Sequence, residues 1–240
     1  MSVTTMSLCA GILYEDEHCL AVVKRAGQFV QGDWAPPGEQ TLEQEVRQHL
    51  RPDDPAGVYL GIVHRLDRPV SGVLLWAKTE KSARRLSQQF ERRQAEKEYW
   101  AIAEARVEIP EAQGRWEDWL TRPGKDGVVC AVEARSKGSR PAWTRYSLGD
   151  AQGLPAGCVW LRLFPETGRT HQLRIQSACR GWPILGDADY GARLAFGPGI
   201  ALHARRLRVR HPIRQTPLEL TAALPDSWAE HGIQIAGTDR

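Results

Sequence analysis

The chain has 240 residues, 42% of them hydrophobic, enough to bury a sizeable core as one large domain or two packed subdomains. No apolar stretch approaches the ~18 residues that span a bilayer, and the N-terminus lacks the basic-then-apolar order of a signal peptide, so a cytoplasmic protein with no membrane partner is expected. Cys9, Cys19, Cys130, Cys158 and Cys179 are widely spaced with no CxxC pair, which argues for reduced thiols and against a zinc cluster.

Residues 1–10 are small and polar and read as a loose N-terminal segment before a strand at Gly11 to Tyr14. A second strand, Leu20 to Val23, follows the acidic turn Glu15-Asp16-Glu17. Thr41 with Gln44 three residues on forms a capping box, and Leu42, Val46 and Leu50 share one helical face, so a helix runs from there to just before Pro52. Apolar runs at Val58 to Val63 and Gly72 to Ala77 have the β-branched and large aliphatic content of buried strands. His64-Arg65-Leu66-Asp67 falls in the connection between them. Ala83, Leu86 and Phe90 then repeat at helical spacing, with Arg84, Arg85, Arg92 and Arg93 largely off that stripe, as in an amphipathic helix with a basic outer surface.

Further strands are read at Tyr99 to Ile102, Val128 to Val132, Trp143 to Leu148 and Val159 to Leu163. After Pro165, a helix follows that Thr170 caps and Gly181 ends. Strands outnumber helices without βαβ alternation or an internal repeat, which predicts an α+β fold, a mixed and mostly antiparallel sheet with flanking helices.

The net charge of +3 says little, but its distribution says more. Lys78 to Lys97 holds seven basic residues against three acids, and His203 to Arg214 holds five arginines and no acid. Such fields attract a polyphosphate, although an isolated charge run is more often a solvated face or an edge strand.

Three constellations can carry chemistry. In the first, Arg65 and Arg68 flank Asp67, and arginines beside a carboxylate favour its ionised form, so Asp67 reads as a nucleophile or base. By itself this run fits better an Asp that accepts N–H bonds in the following turn while Arg65 makes a surface ion pair. The second is Thr167-Gly168-Arg169-Thr170-His171-Gln172-Leu173-Arg174, followed by Pro183-Ile184-Leu185-Gly186-Asp187 and Tyr190-Gly191. Gly168 permits a close backbone approach, and Arg169 arrives at a helix N-terminus, ready to hold Asp67 or a phosphate. In the third, Lys97-Glu98-Tyr99-Trp100, an aromatic face lies beside positive charge, as in sites that hold an unstacked base. A core tyrosine at a strand start is the commoner alternative.

Together and in this order, these motifs resemble those of the RluA-type family of RNA pseudouridine synthases. HRLD followed by Ser71-Gly72 is similar to that family's catalytic motif, and Lys97 with Tyr99 to its Lys-x-Tyr. The stretch from Thr167 to Gln172 with Pro183 to Asp187 and Tyr190-Gly191, and the closing Leu202-His203-Ala204, continue the match from roughly Leu13 to Leu220. The chain departs from the family in having Lys24-Arg25-Ala26-Gly27 where Lys-Pro-x-Gly is usual, and Val70 where a threonine is common.

The resemblance implies the pseudouridine synthase fold with a central catalytic cleft. It implies a catalytic domain at 11–223, a C-terminal tail at 224–240 and no S4 domain. Asp67 would attack a uridine of tRNA or rRNA and transiently carry it, Tyr99 would stack on the flipped uracil, and Arg169 would pair with Asp67. Arg65 would fill the place of the flipped uridine, with His64 and Lys97 also at the substrate and Arg84, Arg85, Arg92, Arg93, Arg205 and Arg206 on the RNA backbone. Neither cofactor nor metal is implied. The partner is an RNA stem-loop and the chain is expected to be a monomer. The alternatives are a non-catalytic RNA-binding or remodelling module using the same cleft, and a metal site of His64, Asp67 and His171. A kinase-like loop is set aside because the Gly-rich loop and DFG triplet are missing from the sequence.

Overall fold

The computed structural model describes residues 11–32, 35–108, 111–124 and 127–235; the expected loose segment 1–10 lies outside them. The N-terminal half contributes β1 (Ile12–Glu15), β2 (Cys19–Lys24), α1 (Leu42–Leu50), β3 (Gly61–Ile62), β4 (Ser71–Ala77), α2 (Glu80–Glu91) and β5 (Glu96–Glu104). Next come β6 (Gln113–Leu120), β7 (Ala131–Val132), β8 (Arg140–Gly149), β9 (Ala151–Gln152), β10 (Cys158–Pro165) and α3 (Gln172–Cys179). The chain closes with β11 (Leu202–Arg210), β12 (Pro217–Thr221), α4 (Asp226–Glu230) and β13 (Gln234–Ile235).

The strands form one 11-stranded sheet in the order β1-β2-β4-β11-β5-β10-β8-β6-β7, with β12 added to β11 and β3 to β4. Every pairing is antiparallel except that of β4 with β11. The α+β expectation of a mixed, mostly antiparallel sheet is thus met. Period-2 alternation divides β2 and β4 between two cores. Leu20, Val22, Leu74 and Trp76 face the main core, whereas Cys19, Ala21, Val73, Leu75 and Ala77 face the layer under α2. There the expected stripe of Ala83, Leu86 and Phe90 packs, and burying Leu86 completely contributes about 2 kcal/mol. At α1 the capping box is present: the Gln44 N–H donates to Thr41 Oγ1 at 3.3 Å, and the Thr41 N–H to Gln44 Oε1 at 2.9 Å.

Four expectations are corrected. Of Val58 to Val63 only Gly61–Ile62 pairs as a strand, with Ala77 and Trp76. β6 was not read from the sequence, because its Trp-Glu-Asp-Trp core mixes charge with aromatics. The arginine run of β11 is not an edge but a central strand between β4 and β5, although Arg208 and Arg210 do face solvent. Its register sets Arg206 opposite Glu98 and Arg208 opposite Glu96, so cross-strand pairs carry that charge. Finally, through Ile235 the expected C-terminal tail is folded: α4 buries Trp228, and β13 pairs with β9. Among the described residues no helix is long and apolar enough to cross a membrane.

Candidate active site

The connection between β3 and β4 that carries Asp67 is held from three sides. From the end of β2, the fully buried Lys24 ammonium donates to the carbonyls of Arg25 and Arg68 at 2.9 Å and of Val70 at 2.7 Å. All three donors of the ammonium are engaged. Burial pushes Lys24 down to about 7, against the upward pull of the Asp67 charge. At the start of β4, Ser71 Oγ donates to His203 Nδ1 at 2.8 Å, while His203 Nε2–H donates to the Ala222 carbonyl. Gly72 has a φ of 120°, and a Cβ there would overlap the Ala204 backbone. That approach is the parallel contact of β4 with β11, and it requires the Ser-Gly and Leu-His-Ala motifs to meet. On the third side, the N–H groups of Gly27 and Ile200 donate to the carbonyls of Arg68 and Pro69.

So fixed, Asp67 keeps 28% of its side chain exposed and lies 3.9 Å from Arg174 Nη1. Arg174 is nearly inaccessible: its Nε and Nη2 grip Asp187 at 2.7 and 2.6 Å, and Nη2 also reaches Asp189 at 2.8 Å. Burial alone would push this guanidinium down, but the bonds and charge of Asp187 push it well up. The fork on Asp187 uses Nε and Nη2 and turns Nη1 toward Asp67. The Arg174 guanidinium also covers the Tyr190 ring at 4.9 Å. The Tyr190 hydroxyl accepts the Val129 N–H and bonds His171 Nδ1 at 2.9 Å. His171 has a left-handed φ of 53° and is the N-cap of α3. Burial lowers its pKa, and the Asp67 charge acts in the other direction.

Tyr99 lies on β5 across from Ala204 on one side and Leu163 on the other. Burial, then the Asp67 charge, raises its pKa, so the phenol stays neutral. The described residues therefore bring together one half-buried carboxylate, a buried arginine held by two further acids, and a neutral tyrosine that feels the Asp67 charge.

Residues 18–178 match the family model described as RNA pseudouridylate synthase. The tRNA pseudouridine synthase C of Yersinia pestis is 35% identical over 234 residues, covering 90% of this chain and 87% of that protein. The enzyme of the same name from Pasteurella multocida is 34% identical, covering 91% and 93%. The chain belongs to the RNA pseudouridylate synthase family. Solved structures agree on the fold. Human RNA pseudouridylate synthase domain containing 4 has a TM-score of 0.72 at 24% identity, covering 94% of each chain. Domain containing 1 has a TM-score of 0.74 at 23% identity, covering all of this chain and 93% of that one.

In this pseudouridine synthase several expected site residues lie elsewhere than expected. Arg169 does not touch Asp67. Its Nε donates to the Pro141 carbonyl at 3.0 Å, because Gln172 Oε1 holds the Arg169 N–H and turns the loop toward β8. Thr170 does not cap α3, and Gln172 organises that turn instead, bonding Thr167, Thr144 and the Trp143 carbonyl. Gly168 has open space, and a Cβ there would meet only Lys97 Nζ within 4 Å. Gly181 does end the helix, at a φ of 74°, with the N–H of Trp182 returning to the Ser177 carbonyl.

His64 is structural: its Nε2 accepts the Leu75 N–H at 3.0 Å, where β4 lacks a strand partner, and its ring stacks on Phe90 at 4.8 Å. Burial and Lys97 push it down to about 3, and with Nε2 engaged it does not serve the metal site of the alternative reading. Lys97 Nζ donates to the Thr167 carbonyl at 3.1 Å, and burial with Arg169 pushes it down to about 8. Arg205 packs on Trp100 and donates to Ala222, Arg206 pairs with Glu98 and Glu219, and Arg85 donates to Pro212. Arg65, Arg84, Arg92 and Arg93 are exposed. Lys24, Arg174 and Asp187 were missed. Arg174 and Asp187 stand in the quoted motifs, but nothing local marks them as partners.

Proposed function

We propose that the enzyme isomerises a uridine in a transfer RNA stem-loop, with Asp67 as the nucleophile. The observation that carries this reading is the half-buried Asp67 carboxylate, which makes no hydrogen bond among the described residues and lies 3.9 Å from a buried arginine that Asp187 and Asp189 lock in place. Asp67 attacks the extruded nucleoside and carries it while the N1–C1′ bond breaks. The uracil turns, C5 joins C1′ as the carboxylate is released, and the C5 proton leaves while N1 takes one up. Neither water nor an electron carrier is consumed. Arg174 orients Asp67, Tyr99 stacks on the uracil, and the exposed Arg65, which has no polar partner among the described residues, enters the helix where the uridine stood.

Transfer RNA is chosen over ribosomal RNA because the curated relatives at 34–35% identity are named tRNA enzymes. We read the protein as a cytoplasmic monomer. The exposed large hydrophobics among the described residues, Ile12, Tyr59, Val107 and Leu194, are scattered and form no interface stripe. The catalytic unit extends to Ile235, since Trp228, Ile233 and Ile235 belong to the main core.

Unmodified tRNA carrying tritium at uridine C5 tests the reading, because joining C5 to C1′ expels that hydrogen. Wild-type protein alone is expected to release it and Asp67→Asn to bind the RNA without release. Absence of release from tRNA by the wild type, with no additive, would falsify the assignment. Release that survives Asp67→Asn would remove Asp67 from the chemistry.

A further inference from the structure

Most arginines of this chain have a carboxylate, a carbonyl or both. At one place three do not have a carboxylate between them. Arg93 sits in the turn after α2 at a left-handed φ of 58°, and its guanidinium covers the Trp143 ring at 4.6 Å. Arg115 also lies over that ring, at 5.3 Å. Arg140 opens β8 with its side chain exposed and no polar partner among the described residues. Arg169, in the loop before α3, reaches the next residue, Pro141, through Nε and leaves both Nη groups unbonded. The Arg169 bond to Pro141 and the seat of Arg93 over Trp143 set these side chains along the start of β8 beside Arg140, and Arg169 is pushed down by burial and then by the Arg140 and Arg93 charges. Lys97 adjoins them through the Thr167 carbonyl and Arg169.

Acids are present nearby but are otherwise engaged. Glu96 and Glu166 line a cavity of about 340 Å³ together with Arg93 and Lys97. Glu166 pairs with Arg115 and Arg145, and Glu96 faces Arg208. Among the described residues Arg93, Arg140 and Arg169 form no ion pair. Like charges brought together by three separate elements raise one another's energy unless an anion joins them.

We propose that Arg93, Arg140 and Arg169 form a phosphate clamp for the RNA backbone beside the catalytic cleft. This rests on the reading of the chain as an RNA-modifying enzyme, and it gives Arg169 a role other than holding Asp67. The ligand is a backbone phosphodiester, which fits the forked donors and the lack of a carboxylate partner for any of the three. The clamp adjoins Lys97, two residues before Tyr99, so it grips the strand close to the extruded uridine.

The test measures binding of unmodified tRNA by fluorescence anisotropy at several salt concentrations, all in the Asp67→Asn background so that turnover does not interfere. Asparagine tolerates the left-handed backbone at 93, so the variants are Arg93→Asn, Arg140→Gln and both together. Each single change is expected to weaken binding on the order of 10-fold and to reduce the slope of log K against log salt by about one, and the pair by about two. Arg51→Gln removes the same charge from the turn after α1 and is expected to leave the slope unchanged. Arg140→Lys is expected to keep most of it. A double variant with the wild-type slope overturns the clamp, and so does an equal drop for Arg51→Gln, which would mean net charge alone is read. Failure of tritium release by the wild-type protein, with the expected slope changes still seen in these variants, would instead sink the tRNA assignment and leave the clamp standing.

Discussion

Asp67 and Arg174 show how little separation decides a site. Both Arg169 and Arg174 lie in one motif, and only the path of the loop selects between them. Gln172 draws the backbone of Arg169 toward β8, whereas Arg174, on the first turn of α3, is buried and locked on Asp187. Lysine at 174 keeps a charge but cannot reproduce the fork. Arg174→Lys is therefore expected to cost about 3 kcal/mol in urea unfolding, since it leaves Asp187 buried and incompletely paired. Tritium release should fall by about 100-fold, the usual scale for losing a preorganised charge at a reacting group. Turnover within twofold of wild type would mean that Asp67 draws its charge partner from elsewhere. Asp67, Tyr99 and Arg65 were legible as candidates because each lies in a short motif. Lys24 was not, because a lysine that ends a strand gives no sign that three carbonyls will enclose it.

At the scale of elements, Lys97 ties β5 to the loop before α3. With its pKa pushed down to about 8, it is charged at pH 7 and neutral by pH 9. RNA affinity should thus fall as pH rises through about 8, and Lys97→Arg should abolish that step; anisotropy titrations from pH 6.5 to 9 read both. Stability moves in the opposite direction. Between about 8 and the ordinary lysine value the unfolded chain holds a proton that the folded one has lost, so folding gains as pH rises across that window. Element boundaries were legible where local chemistry sets them, as at the Thr41–Gln44 box and the Gly181 stop. They were not legible where pairing sets them. The arginines of β11 become a central strand only because Glu96 and Glu98 lie across from them, and Val58 to Leu60 stay out of the sheet although they are apolar.

At the scale of the molecule, the last described residues complete the core. Trp228 packs edge-on to Phe196 at 6.2 Å and to His203 at 6.5 Å, and His203 is the residue that holds Ser71 beside the catalytic loop. Trp228→Ala is expected to lower stability by about 3–5 kcal/mol, read as a fall in the urea midpoint. A loss below 1 kcal/mol would show that α4 only rests on the surface. The amino-acid sequence by itself determined the α+β class, the main helices and most strands, and pointed to the acid proposed as nucleophile. These depend on periodicity, capping and short motifs, which act over a few residues. The tertiary structure decided which arginine lies beside Asp67, which cations lack a carboxylate partner, and that Ser71 meets His203 across 132 positions. Such choices depend on pairing between distant segments, where burial and charge balance are set by neighbours that no local pattern names.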